Sequence, residues 1–131
     1  MKQTGVLYIT AFLSLILTGC LFPKNDECVS YYPSTITFAD VPATLAPQET
    51  ANIQMRCQTV NGCGQAYAIE TTSIGDTLAF RAISKYSGCV CTQVLGEYST
   101  TYSFTPPSPG VYYFKFYNND GTSFVRSMVA N

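Results

Sequence analysis

The chain has 131 residues, 112 of them from Cys20 onward, a length that fits one domain with one core and is too short for two. An apolar share of 47% against 11% charged, with ten Tyr and eight Phe, sets it apart from the polar, charge-rich composition of disordered chains. The absence of His removes imidazole as base, ligand or pH switch, and seven Lys and Arg at a net charge of -1 leave no basic footprint for nucleic acid.

Lys2 is the only charge before Lys24, and the apolar run from Val6 to Leu17 follows it, the order of a secretory signal. The run ends in Leu17-Thr18-Gly19-Cys20, which resembles the lipobox of bacterial lipoproteins. The resemblance implies cleavage before Cys20, lipidation of its thiol, and permanent attachment once two or three acyl chains are buried. The competing reading is an uncleaved anchor, because Gly5 to Phe22 is free of charge, although Thr10, Ser14 and Thr18 interrupt it and Pro23 follows. Leu21 is not the Asp that resembles an inner-membrane retention signal, so the outer membrane is expected. Lys24-Asn25-Asp26-Glu27 looks like the export signal that carries Bacteroidota lipoproteins to the cell surface; a solvated linker is the alternative. The expected organisation is a signal peptide at 1–19, a lipidated tether at 20–33 and a folded domain at 34–131.

The strands follow in order. Thr35 to Val41 offers Ile36 and Phe38 to a core, and Thr50 to Gln58 alternates without a fault, with Ala51, Ile53, Met55 and Cys57 on one face. Shorter runs offer Tyr67 and Ile69, then Leu78, Phe80 and Ala82, then Tyr102 and Phe104. Pro109-Gly110 opens a strand with Tyr112, Phe114 and Phe116 on one face, and Asn118-Asn119-Asp120-Gly121 is a hairpin signal before the last strand, Thr122 to Val129. No part of the chain after Cys20 has a 3.6-residue apolar period. The expected fold is an all-β, immunoglobulin-like antiparallel sandwich of about seven strands.

Residues Thr101 to Val129 resemble the C-terminal half of immunoglobulin-like and PKD-type domains, which implies that Tyr112 forms a tyrosine corner. Phe114 stands where an antibody domain has a cysteine, so Cys57 lacks that partner. A second resemblance rests on Asn61-Gly62-Cys63-Gly64, Gly88-Cys89-Val90-Cys91-Thr92 and the lipobox, which together look like a group of small, uncharacterised Bacteroidota lipoproteins. It implies localisation and fold, and no activity.

With Cys20 assigned to lipid, five cysteines remain, and an odd number leaves one unpaired. Following the strands up and down the sandwich brings Cys28, Cys63, Cys89 and Cys91 to one end. Cys89 and Cys91 would lie about 6.6 Å apart on one face of an extended segment, too awkward to pair with each other. Two disulfides are expected, Cys63 to Cys89 and Cys28 to Cys91, with Cys57 a buried free thiol. The alternatives are a zinc or Cu(I) site on these sulfurs and a catalytic dithiol.

The carboxylates are scattered, with one adjacent pair, Asp26-Glu27, in the tether, so no catalytic dyad is legible. Tyr31, Tyr32, Tyr86 and Tyr98 form a candidate binding rim near the cysteine end. The expected function is therefore non-catalytic and needs no cofactor or metal. It is that of an envelope lipoprotein, held to the membrane by its lipid, that binds or assembles with a protein or glycan. The rival is an envelope thiol or metal-binding protein using Cys63, Cys89 and Cys91.

Overall fold

The computed structural model describes residues 28–131, so the expected signal segment, the expected lipidation site Cys20 and residues 21–27 lie outside the described residues. Eight strands follow in order: β1 (Val29–Asp40), β2 (Thr44–Leu45), β3 (Ala51–Thr59), β4 (Gly64–Ile74), β5 (Thr77–Ser87), β6 (Gly96–Phe104), β7 (Gly110–Tyr117) and β8 (Ser123–Ala130). There is no helix among the described residues.

β3 carries the clearest signal and obeys it. Ala51, Ile53, Met55, Cys57 and Thr59 are buried, while Asn52, Gln54 and Arg56 between them face water. Its neighbours are β1 and β6, both antiparallel, and these three make the smaller layer. β1 joins the layers: residues 35–40 pair with β3, whereas residues 29–34 pair with β5 in the larger layer. That layer continues from β5 to β4 on one edge and to β7, β8 and β2 on the other. The whole is one curled, mixed sheet, ordered β2-β8-β7-β5-β1-β3-β6 with β4 on β5.

The chain is thus the expected all-β sandwich, with two departures from a purely antiparallel arrangement. β7 runs parallel to β5, and the short β2 runs parallel to β8. The first follows from the path of the chain: between β5 and β7 it crosses to the smaller layer to form β6, and a crossover returns the next strand in the same direction.

Phe80 occupies the centre of the core, with Phe116, Tyr102 and Phe114 at centroid distances of 5.0, 5.0 and 6.1 Å. Phe104 adds edge-on contacts to Phe114 and Tyr112, and Ile36, Ile53, Met55 and Met128 fill the space between the layers. Tyr112 forms the expected corner: its hydroxyl donates to the carbonyl of Ser108 at 2.7 Å. The predicted hairpin closes through the Asn118 N–H on the Thr122 carbonyl at 2.8 Å, and Gly121 supplies the positive φ of 85°. Asp120 accepts from the hydroxyl and N–H of Thr122, which holds its carboxyl below the usual carboxylate value.

Three expectations fail locally. A bulge between Ile36 and Phe38 sets Phe38 opposite Arg56 on the solvent side, where the guanidinium lies 5.6 Å from its ring, and Ala39 takes the inner place. A second bulge between Ala66 and Ala68 turns Tyr67 outward in the same way. The fold also begins earlier than the expected residue 34, because backbone pairing with β5 begins at Val29.

Candidate functional site

β1, β4 and β6 run opposite to β3 and β5, so three strand beginnings and two strand ends meet at one end of the sandwich. All four predicted disulfide cysteines are there. Their pairing is the reverse of the expected one: Cys28 joins Cys89 and Cys63 joins Cys91, with Cα atoms 4.9 and 5.5 Å apart. Strand register decides this. β1 and β4 flank β5 on opposite edges, with Val29 opposite Ser87 and Gly64 opposite Tyr86. Cys28 and Cys63 therefore bracket the end of β5. The Gly88 N–H donates to the Cys28 carbonyl at 2.9 Å, so the next residue, Cys89, is delivered to the β1 edge and Cys91 is left for β4. Gly88 makes this turn at a φ of +133°, and a Cβ there would press on the Cys63 sulfur.

The Asn61-Gly62-Cys63-Gly64 motif is the turn from β3 to β4. Asn61 Oδ1 accepts from the Cys63 N–H at 3.0 Å, and the Gly62 N–H donates across to the Thr92 carbonyl at 3.1 Å. This bond and the two bridges fasten the loop 88–95 to its neighbours. The loop nevertheless presents apolar side chains outward: Val90 is 93% exposed, Val94 70% and Leu95 59%, with half-exposed Val60 at the end of β3.

The four rim tyrosines separate into two pairs. Tyr31 and Tyr32 are exposed, Tyr31 lying 4.6 Å from the ring of Tyr67. Tyr86 is buried, because it continues the inward row of Phe80, Ala82 and Ser84 on β5, and its hydroxyl accepts from the Val60 N–H at 3.1 Å. Tyr98, opposite Cys57, packs against the core, and its hydroxyl accepts from Ser84 Oγ at 3.0 Å. Ser84 in turn bonds the buried Ser34. Tyr86 is thus withdrawn from any rim, whereas half-buried Tyr98 lines a shallow cleft beside Tyr67; both hydroxyls are engaged within the protein.

Cys57 is the buried free thiol that was expected. Burial pushes its pKa up to about 11, against a smaller opposing effect of its hydrogen bond to Tyr98. It stays protonated at neutral pH and is out of contact with solvent, so it is a poor nucleophile. The best-formed clefts are shallow, about 190 to about 270 Å³, below the usual size of a small-molecule site.

Sequence reasoning overlooked a different feature, the outer face of the larger layer. Val111 and Val129 are direct cross-strand partners there, with Val125 two positions along β8 from Ser127, which pairs with Tyr113. Tyr113 pairs on its other side with Thr77, itself opposite Ile74. All five of these apolar residues are at least 41% exposed. The signal was present in Val111-Tyr112-Tyr113, which is apolar on both faces of one strand.

Residues 53–126, from β3 into β8, match a family model described as the ORF11 beta-sandwich domain. No curated protein and no solved structure matches the chain.

Proposed function

The chain belongs to the ORF11 beta-sandwich domain family, whose description names a fold and no reaction, and we propose that its role is to bind a protein partner at the bacterial envelope. On this reading it is a lipoprotein held at Cys20 in the outer membrane, with the domain on the cell surface, as the lipobox and the Lys24-Asn25-Asp26-Glu27 stretch imply. The observation that carries the binding role is the apolar outer face of Ile74, Val111, Tyr113, Val125 and Val129. Isolated exposed apolar residues are normal on a soluble domain; five gathered on one face of an ordered sheet, interspersed with Thr77, Lys115 and Ser127, favour an interaction surface. Its makeup, four aliphatic side chains around one Tyr, suits a protein better than a glycan, which would need more polar groups.

Ile74, Val111 and Val129 lie where β4 and β8 end and β7 begins, opposite the cysteine end. A tether leaving from Cys28 would keep this surface away from the bilayer and open to a partner. The rival thiol or metal role is less well supported, because the sulfurs of Cys63, Cys89 and Cys91 are held in disulfides and have no thiolate to offer.

The test is a photo-reactive side chain placed at Tyr113, with a control at exposed Asn52 on the smaller layer, and irradiation of intact cells. The expected result is one discrete cross-linked species from position 113 and none from position 52. Equal or absent cross-linking at both positions would reject the surface.

A further inference from the structure

We infer that the cysteine end is a membrane-facing tip whose Val90, Val94 and Leu95 rest in the interface of the bilayer that holds the lipid. The inference relies on the proposed lipidation of Cys20 and adds an orientation to it. Three observations lead there. The first is reach. Only Leu21 to Glu27 separate Cys20 from Cys28, at most ~25 Å of extended chain. Cys28 is then fixed by its bridge to Cys89, which places Val90 within about 9 Å of the point where the tether enters the fold.

The second is chemistry. Residues 86–96 contain no Asp, Glu, Lys or Arg, and neither do residues 57–69, which supply Val60 and the Cys63 turn. Among the described residues, the three most exposed large apolar side chains include Val90 and Val94, and Leu95 follows closely. The charges that lead into the tip, Lys24, Asp26 and Glu27, belong to the tether, so the loop itself gives up no ion solvation when its aliphatic side chains enter the headgroup boundary.

The third is rigidity. Loop 88–95 is tied to β1 by Cys28–Cys89, to β4 by Cys63–Cys91 and to the Asn61 turn by the Gly62–Thr92 bond. A floppy loop could fold its aliphatic groups back on the protein; this one holds them out. A few such side chains cannot anchor a protein alone, so their effect is to orient a domain that the lipid already retains. This orientation directs the Tyr113 surface outward.

The chain has no Trp, so a single introduced Trp reports its own surroundings. Full-length protein carrying Val90→Trp, Leu95→Trp or, at the opposite end, Pro47→Trp would be purified from membranes and reconstituted in phosphatidylcholine vesicles with lipids brominated near the headgroup. All three positions are exposed, so the fold should tolerate them. The expected result is blue-shifted, strongly quenched emission at positions 90 and 95, with solvent-like, unquenched emission at position 47. Similar emission at all three would overturn the inference, as would quenching at position 47 alone. The mass of the N-terminal peptide from the same sample reads the lipid independently. If Cys20 proves unmodified, the tether reading fails and the orientation that rests on it fails too; a lipidated Cys20 with unquenched emission at positions 90 and 95 overturns the tip alone.

Discussion

Tyr112 and Cys57 illustrate how single side chains stabilise this sandwich. The Tyr112 hydroxyl connects the strand to the Ser108 carbonyl, while its ring lies 5.3 Å from Phe104. Tyr112→Phe keeps the ring and removes the bond, and should lower unfolding stability by about 1 kcal/mol in urea titration. A loss of several kcal/mol would mean that the corner does more than one hydrogen bond. Cys57 makes stability depend on alkaline pH. Its thiol ionises near 9.0 when the chain is unfolded and at about 11 when folded. The unfolded state therefore releases the proton first, so the contribution is complete below pH 9 and is lost as pH rises towards 11. At full ionisation the difference amounts to roughly 2 to 3 kcal/mol. Cys57→Ala should be less stable at neutral pH because of the cavity, yet lose less stability between pH 9 and 11. Parallel decline of both proteins over that interval would contradict this account.

At the level of strands, the sequence was most legible where alternation was unbroken. β3 reads correctly residue by residue, and the β7–β8 hairpin follows from Pro109-Gly110 and Asn118 to Gly121. Legibility ends at the bulges, because one extra residue reverses the inside and outside of everything beyond it; Phe38 and Tyr67 are the result. The first half of β1, Val-Ser-Tyr-Tyr-Pro-Ser, shows no clean period, since β1 changes partners partway along. The meeting of four cysteines was legible from strand direction alone. Their pairing was not, because Cys89 and Cys91 are two residues apart and only the register of β1 and β4 against β5 distinguishes them. The exposed face around Tyr113 is hard to read for a related reason: in a strand apolar on both faces, the pattern does not distinguish the outer side from the core side.

The bridges allow a test at this scale. Cys28–Cys89 and Cys63–Cys91 span 61 and 28 residues, for which the chain-entropy model gives about 3.5 to 4.5 kcal/mol each. Against the ~5 to 15 kcal/mol of an ordinary domain, loss of either should lower the melting temperature markedly. The single variant Cys63→Ser also reads the connectivity. Alkylation without reductant should then label Cys91 and leave Cys89 bridged, whereas label at Cys89 would restore the pairing expected from the sequence.

For the molecule as a whole, the layers, the bridges and the proposed lipid combine into one orientation: cysteine end inward, Tyr113 face outward. Because the described fold begins at Cys28, replacing Cys20 should leave the melting temperature of the domain unchanged while removing its attachment. Cys20→Ala should therefore move from the membrane fraction to the soluble envelope fraction, fully folded by thermal melt; retention in the membrane would favour the uncleaved anchor. Protease added to intact cells should remove the wild-type domain if it faces outward, and spare it if it faces the periplasm. The attachment on which this orientation depends is tested most directly by the mass of the N-terminal peptide from membrane-extracted wild-type protein. The account predicts a peptide that begins at Cys20 and carries the added mass of acyl lipid. A peptide that begins at Met1, or an unmodified Cys20, would contradict it.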